Sequence, residues 1–182
     1  MKKYQENKPY TAVEDGKVRY DSRSHAVAGL IVAEGPEHEL YFLVSKRGPG
    51  CPDNIGKMGL TCGYLGWGET RREAMIRETY EELGFDISDC LINEWKVIDD
   101  PAKDARQNIV TRYIILADFN KITQAIKNGT INTDSLSRGG EKDEVSEILL
   151  VPYSRINKYT WAFNHDKVIQ EFVNMLLEED VN

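Results

Sequence analysis

Residues 63–85 of the chain read GYLGWGETRREAMIRETYEELGF, and this stretch decides the fold. Within it, residues 69–83 contain neither glycine nor proline. Gly84 follows at once, and glycine is the residue that most commonly ends a helix. The stretch therefore predicts one helix over residues 69–83, approached through a segment that is rich in glycine.

Three glutamates are concentrated at the end of this predicted helix. Glu78, Glu81 and Glu82 lie at positions i, i+3 and i+4, so they share one helix face. Like charges at this spacing repel one another, and the helix dipole disfavours anions at a C-terminal end. A hard divalent cation would relieve the repulsion, because Mg²⁺ and Mn²⁺ take carboxylate oxygens as ligands. A solvated acidic patch is the alternative, and the helix alone leaves both interpretations open.

The residues around these glutamates follow the pattern Gly-x5-Glu-x7-Arg-Glu-U-x-Glu-Glu-x-Gly-U, where U is a bulky apolar residue. This pattern resembles the Nudix box of the Nudix hydrolase family. Its seven fixed positions are filled by Gly63, Glu69, Arg77, Glu78, Glu81, Glu82 and Gly84. Thr79 occupies one U position, where the family prefers a less polar residue, and Phe85 fills the other. Seven such coincidences at one start position are about a 10⁻⁸ to 10⁻⁹ event at ordinary residue frequencies.

The resemblance implies a place for the rest of the chain. The expected fold class is α/β: a Nudix-type α/β/α sandwich, with a mixed sheet between the box helix and a C-terminal helix at 164–179. Strands of this sheet are predicted by apolar runs at 26–33, 39–46, 57–65, 92–99, 108–118 and 145–151. We interpret residues 1–22 as an N-terminal arm and residues 23–182 as a single Nudix hydrolase domain.

By resemblance, Nudix enzymes hydrolyse nucleoside diphosphates linked to another moiety, with metal ions that neutralise the pyrophosphate while water attacks phosphorus. The expected cofactor is Mg²⁺, with Mn²⁺ as an alternative. The resemblance places metal ligands at Glu78, Glu81, Glu82 and the main-chain carbonyl of Cys62. It also implies structural roles within the motif for Gly63, Glu69 and Gly84.

A general base is expected near the metal ligands. In many family members it comes from the loop before the last strand, which here spans residues 139–144. Glu144 is the first candidate and Glu141 the second, while Glu78 competes because it lies on the box helix. A plain solvated loop is the alternative. Arg77 can orient and partly neutralise the carboxylates, since it lies four residues before Glu81.

Substrate recognition is suggested by a second segment. A proline at about the offset of Pro101 marks many ADP-ribose pyrophosphatases of the family, although a plain turn proline is the alternative. Lys103 and Arg106 resemble a Pro-x-Arg-Asp-x-Arg segment of that subgroup, with Lys103 in place of an arginine. Arg47 precedes a loop rich in glycine and proline and is expected to approach the phosphates.

The predicted function is metal-dependent hydrolysis of ADP-ribose to AMP and ribose 5-phosphate. One alternative is a house-cleaning hydrolase of another nucleotide, such as an oxidised nucleoside triphosphate or a dinucleoside polyphosphate. Another is a non-catalytic sensor of an ADP-ribose-type ligand. The intact glutamates favour turnover.

Composition bounds the partners and the compartment. Lys and Arg number 23 and Asp and Glu number 30, so the net charge of −7 disfavours nucleic acid as a partner. No apolar window approaches the length of a membrane span, and no membrane partner is expected. Three cysteines at irregular spacing favour a reducing compartment, and we expect a cytoplasmic protein. The expected partner is a nucleotide-type small molecule, and a homodimer is left open.

Overall fold

The computed structural model describes residues 9–11, 16, 18–20, 23–100, 102–103, 106 and 108–179. Most of the predicted N-terminal arm lies outside these residues. Within it, β1 (Pro9–Thr11) and β2 (Val18–Tyr20) pair antiparallel with each other. The division of the chain into an arm and a domain stays a prediction.

A seven-stranded mixed sheet forms the centre of the fold. Its strands are β3 (His25–Glu34), β4 (Leu40–Arg47), β5 (Met58–Gly59), β6 (Thr61–Tyr64), β7 (Leu91–Ile98), β8 (Ile109–Leu116) and β9 (Val145–Pro152). The order β5-β4-β3-β8-β7 runs across the sheet, β6 also pairs with β3, and β9 also pairs with β4. Only the β3–β8 pairing is parallel among these described pairs, so the predicted mixed sheet is confirmed.

Helices cover both faces of the sheet. They are α1 (Arg71–Leu83), α2 (Phe119–Lys127) and α3 (His165–Glu179). Val27 and Ile31 of β3 pack in one core cluster with Met75 of α1, whereas Leu30 of β3 packs in the other cluster with Ile169 of α3. Successive strand residues face opposite sides of a sheet, so residues 26–33 of β3 are all apolar because both faces are covered. The predicted α/β/α sandwich is therefore confirmed.

The box helix begins two residues later than the sequence predicts. Thr70 is extended, with φ −78° and ψ 157°, and its side chain accepts a hydrogen bond from the N–H of Glu73. The Glu73 side chain in turn accepts from the N–H of Thr70 at 2.9 Å. This reciprocal capping box fixes the first turn and leaves Glu69 outside the helix. The helix ends as predicted at Gly84, which adopts φ 72°.

The predicted strand over residues 57–65 is two strands. Met58–Gly59 pairs with β4, whereas Thr61–Tyr64 pairs with β3. Leu60 lies between them, and its N–H donates to Nδ1 of the buried His165 at 2.9 Å. The chain changes pairing partner at this residue, so its N–H bonds to a side chain from α3. This change carries Gly63 across to the box helix.

Candidate active site

Arg77, in the middle of α1, holds three of the predicted glutamates in place. Its Nε and Nη2 donate to the two carboxylate oxygens of Glu69 at 2.7 and 2.9 Å. Its Nη1 donates to Glu78 and to Glu81, both at 2.8 Å. Nη2 also donates to the carbonyl of Tyr64 on β6 at 2.9 Å. One guanidinium therefore ties the box helix to the strand before it and orders the carboxylates around itself.

Glu69 links the glycine-containing approach to this network. Besides Arg77, it accepts a hydrogen bond from the N–H of Gly66 at 2.7 Å. The hydrogen bonds from Arg77 are the largest cause that lowers the pKa of Glu69 below its usual value. Glu69 is thus an anion whose bonds all go to the protein scaffold, which fits the expected structural role.

Gly63 leaves room for the Glu78 carboxylate. A Cβ atom added at Gly63 would lie 2.1 Å from Cδ of Glu78 and 2.2 Å from its Oε1. Real Cβ contacts are never this short, so any side chain at position 63 would push the carboxylate away. Burial raises the pKa of Glu78 to about 7, while the neighbouring Arg77 charge opposes this rise. The first glycine of the box therefore sets where the Glu78 carboxylate can lie.

The buried Glu82 and the half-buried Glu144 lie beside this network. Glu82 is 5% exposed and accepts a hydrogen bond from the N–H of Cys62 at 3.3 Å. Burial raises the pKa of Glu82 well above its usual value, and repulsion from Glu144 and Glu78 raises it further. Burial likewise raises the pKa of Glu144. Both side chains line one narrow cleft together with Arg47 and Cys51.

The donor set of this cluster fits a hard divalent cation. Glu78, Glu82 and Glu144 are buried or half-buried carboxylates. The charges of Glu78 and Glu144 raise the pKa of Glu82, and the charge of Glu144 also raises the pKa of Glu78. Carboxylate oxygens are the ligands that Mg²⁺ and Mn²⁺ prefer. In the part of the chain that the structure describes, no three acidic, cysteine or histidine side chains are gathered as a finished metal site. Arg77 engages Glu78 and Glu81 instead.

The loop that carries Glu144 is anchored to the glycine- and proline-rich loop after β4. The Gly48 N–H and the Cys51 thiol both donate to the Glu144 carbonyl, at 2.7 and 3.2 Å. The Gly50 N–H donates to the Asp143 carbonyl at 2.9 Å. These contacts fix the backbone beside the cleft that the Glu144 side chain lines.

Glu141 occupies a different position from Glu144. It is exposed, and its carbonyl accepts a hydrogen bond from the buried Ser135 hydroxyl at 2.7 Å. Gly140 donates its N–H to the Ser135 carbonyl at 3.0 Å. The structure therefore brings Glu144, and not Glu141, into the cleft with Glu82.

Two predicted substrate-binding arginines meet at one acidic residue. Arg47 donates to the Asp53 carbonyl at 3.0 Å and to its carboxylate at 3.3 Å. Arg106 forms an ion pair with the other carboxylate oxygen of Asp53. Both guanidiniums also lie over the ring of Phe163, with centroid distances of 5.0 and 6.0 Å. Two arginines that share one carboxylate thus lie together, and one of them, Arg47, lines the carboxylate cleft.

The remaining substrate-binding predictions are placed differently. Lys103 is exposed, and its ammonium lies 3.9 Å from the carboxylate of Asp100, so it is not brought to the arginines. Pro101 lies outside the described residues. The proposed ADP-ribose segment therefore contributes one described side chain, Arg106, to the site.

Arg138 is a residue of the site region that sequence reasoning missed. Its Nε donates to the carbonyls of Tyr80 and Glu81 at 2.8 and 3.2 Å, at the end of α1. It also bonds to the side chain and main chain of Asn132, at 2.7 and 2.9 Å. The last turn of α1 has no basic residue of its own, so this guanidinium supplies the cation that a helix C-terminus favours. No local pattern could have revealed a contact between residues 58 positions apart.

Asp53 and Phe163 were also missed. Asp53 belongs to a loop whose composition predicted only turns. No sequence pattern assigned a role to the Phe163 ring. The sequence feature that could have drawn attention to Phe163 is an aromatic residue in the turn between β9 and α3.

Solved structures with the same fold belong to MutT/nudix proteins. A MutT/nudix family protein from Listeria innocua is 18% identical, with a TM-score of 0.64, over 88% of this chain and 99% of that chain. The NUDIX domain of Shewanella oneidensis NrtR, solved with ADP ribose, is 15% identical, with a TM-score of 0.60, over 86% and 90%. NrtR with a 27mer DNA is 16% identical, with a TM-score of 0.63, over 85% of this chain and 62% of that chain. At these identities the likeness shows the fold.

Two further findings bear on identity. No curated protein matches this sequence. Among the residues that the structure describes, no helix is long and apolar enough to cross a membrane. A family model for the NUDIX domain matches residues 23–172, which include the box, the whole central sheet and the buried carboxylates, and the chain belongs to that family.

Proposed function

We propose that this chain is a Mg²⁺-dependent pyrophosphohydrolase that cleaves ADP-ribose to AMP and ribose 5-phosphate. The family match and the MutT/nudix neighbours support the expected pyrophosphohydrolase class. The observation that carries the proposal is the acidic cleft, which is lined by the buried Glu82 and the half-buried Glu144 together with Arg47. A chain seldom buries like charges together unless a cation completes the site.

Divalent metal ions are the general cofactors of Nudix hydrolases, and Mg²⁺ is our specific proposal, with Mn²⁺ as the alternative. We assign its ligands to Glu78, Glu81, Glu82 and the main-chain carbonyl of Cys62. When bound, such an ion neutralises phosphate charge and acts as a Lewis acid. Arg77 holds Glu78 and Glu81 at 2.8 Å and so keeps their carboxylates oriented towards the common face.

The proton acceptor that we propose is Glu144. Its pKa is raised by burial, which moves the carboxylate towards the range in which a base works near neutral pH. Glu78, with a pKa of about 7, is the competing base, and Glu141 is the second loop candidate. Structural roles in this proposal belong to Gly63, Glu69 and Gly84. Gly63 leaves room for the Glu78 carboxylate, Glu69 holds Arg77, and Gly84 ends the box helix.

The ADP-ribose assignment rests on Arg47 and Arg106, which share the Asp53 carboxylate and can donate to a diphosphate that takes its place. Lys103 and Pro101 remain part of the proposal through the resemblance of their segment. The NUDIX domain of NrtR, which shares this fold, was solved with ADP ribose, and this supports the same ligand class.

Two other functions stay as alternatives. Another nucleotide, such as an oxidised nucleoside triphosphate or a dinucleoside polyphosphate, could be the substrate of the same carboxylates. A non-catalytic ADP-ribose sensor is favoured by the likeness to NrtR, which was also solved with DNA. The match covers 62% of that DNA-bound chain, and the net charge of −7 opposes contact with nucleic acid by this one.

The compartment and the assembly are also proposed. All three cysteines, Cys51, Cys62 and Cys90, are free thiols, which supports a cytoplasmic location. Burial raises the pKa of each thiol, so we treat them as packed groups and not as nucleophiles. We propose no membrane partner, and light scattering would show whether the protein is the homodimer left open above.

The deciding experiment is turnover with and without metal. Wild type should hydrolyse ADP-ribose in Mg²⁺ and lose this activity in EDTA. Glu82→Gln should keep the fold and lower kcat by about two orders of magnitude or more. Glu147→Gln, an exposed change on β9, is the matched control and should retain wild-type kcat. Equal turnover in EDTA would overturn the proposal.

The substrate is tested by kcat/KM for ADP-ribose, NADH, dGTP and diadenosine polyphosphates under one metal condition. ADP-ribose should lead. A triphosphate that wins by tenfold or more would select the house-cleaning alternative. Binding of ADP-ribose without turnover of any of these compounds would select the sensor.

The base is tested by a pair of loop variants. Glu144→Gln should lower kcat with little change in metal affinity, whereas Glu141→Gln should cost less because its side chain is exposed. Full kcat in both variants, together with loss of activity in Glu78→Gln, would assign the base to the helix. The pH–rate profile should show apparent pKa values that belong to the carboxylate cluster as a whole.

A further inference from the structure

Phe163 adopts a backbone conformation that suits its residue type poorly. Phe163 and Asn164 are consecutive residues with φ 53° and 55°, in the left-handed region. Asparagine tolerates this region, but a bulky residue such as phenylalanine is a genuine outlier there and is strained. Such strain persists only where the surrounding structure or the function of the site maintains it.

The surrounding turn explains the backbone but not the aromatic ring. The Ala162 N–H donates to the Met58 carbonyl at 2.8 Å, and the His165 N–H donates to the Ala162 carbonyl at 3.0 Å. Ala162 and His165 are both buried, so the left-handed pair between them turns the Phe163 side chain outwards. Glycine or asparagine would make the same turn with less strain. The Phe163 ring makes an edge contact with the His165 ring, with centroids 5.4 Å apart. The turn itself does not require an aromatic residue at position 163.

The ring lies where a ligand of the carboxylate cleft would pass. Phe163 is 41% exposed, and it lines the same cleft as Glu82 and Glu144. The Arg47 guanidinium is 5.0 Å from the ring centroid, and Arg106 is 6.0 Å away, at the limit of a cation–π contact. Phe163, Arg47 and the two carboxylates thus line a single opening, and Arg106 lies beside the ring.

We propose that Phe163 is the stacking platform for the nucleobase of the substrate. In this arrangement the base lies on the exposed ring, and the diphosphate extends past Arg47 towards the glutamates. Aromatic rings and guanidinium planes are the surfaces on which proteins stack bases, and such stacking accepts any base because each has a π face. The platform therefore selects for a nucleoside diphosphate over a diphosphate without a base, and the pairing of Arg106 with Asp53 holds one wall of it.

This inference rests on the proposed function, because it takes the glutamate cleft as the place of the phosphates. Its test is independent of turnover. Ribose 5-phosphate has a hydroxyl group where AMP carries the base, and the affinities of both compounds can be measured by calorimetry in EDTA. Wild type should bind AMP about tenfold or more tightly than ribose 5-phosphate, given the usual strength of base–aromatic stacking.

Variants at position 163 should separate stacking from packing. Phe163→Ala and Phe163→Leu should both lose about tenfold in AMP affinity and leave ribose 5-phosphate unchanged, while Phe163→Tyr should keep wild-type values. Urea unfolding checks that each variant is folded. Tyr80→Ala removes another exposed aromatic ring, 47% exposed on α1, and should change neither affinity.

The outcomes separate the two proposals. AMP affinity that is unchanged in Phe163→Ala, or equal to that of ribose 5-phosphate in wild type, overturns the stacking role even if the protein hydrolyses ADP-ribose. AMP binding that depends on Phe163 in a protein without turnover supports the platform and overturns only the hydrolase. Loss of affinity for both ligands in Phe163→Leu would show a packing role and would also overturn the inference.

Discussion

Gly63→Ala tests whether the first box glycine exists to make room for Glu78. The added Cβ would lie 2.1 Å from the Glu78 Cδ, so the carboxyl must retreat by about 1.4 Å to reach an ordinary carbon–carbon contact. A misplacement of about 1 Å in a catalytic group can cost about a hundredfold in rate. We therefore expect kcat to fall about a hundredfold. The free energy of unfolding should change by only about 1 kcal/mol, because the displaced atoms end a flexible side chain.

The assay for Gly63→Ala is turnover in Mg²⁺ together with urea unfolding. A double-mutant cycle with Glu78→Gln supplies the control, because the glycine should matter only through that carboxylate. Gly63→Ala should cost little further activity in the Glu78→Gln background. Losses that simply add, or a Gly63→Ala enzyme with kcat within threefold of wild type, would refute this explanation of the glycine.

Three further expectations concern the scaffold. Gly84→Ala should destabilise the protein in urea by about 2 kcal/mol more than Gly129→Ala. Both glycines have positive φ, 72° and 77°, but an added Cβ would meet a carbonyl oxygen, at 2.4 Å, at Gly84 and not at Gly129. Arg138→Ala should cost about 2 kcal/mol, because it removes charged hydrogen bonds from the end of α1, whereas Arg155→Ala at an exposed site should stay within about 0.5 kcal/mol. His165 is held neutral because burial lowers its pKa from 6.5 to about 3. Between these two pH values, the unfolded chain binds a proton at His165 that the folded chain does not bind. The free energy of unfolding should therefore fall by about 1.4 kcal/mol per pH unit below pH 6.5. NMR should show a neutral His165 ring at about pH 5, and a protonated ring there would contradict the assignment.

The sequence predicted the box helix well because its signals are local. The run without glycine or proline, the stop at Gly84 and the glutamate spacing all lie within residues 63–85. The start was missed by two residues, since Thr70 and Glu73 cap each other and exclude Glu69. Local spacing also indicated that Arg77 would reach Glu81, which it does at 2.8 Å.

Tertiary pairing decided what local patterns could not. The predicted strand over residues 57–65 has the composition of one strand, yet Leu60 separates two, because the segment changes from β4 to β3 as partner. The Leu60 N–H has no strand partner at this change, and it donates to the side chain of His165 on α3, 105 residues away. Periodicity carries no information about such distant partners.

Residue spacing along the chain was enough to predict the glutamates of the box and the family, and the resemblance to that family supplied the α/β/α architecture. The position of Glu144 in the cleft with Glu82, the exposure of Glu141, and the meeting of Arg47 and Arg106 at Phe163 could be seen only in the folded protein. These residues come from separate loops, and their approach depends on sheet order and on main-chain hydrogen bonds between loops. The physical reason is that helix geometry is set by neighbours in sequence, whereas a site is assembled by neighbours in space.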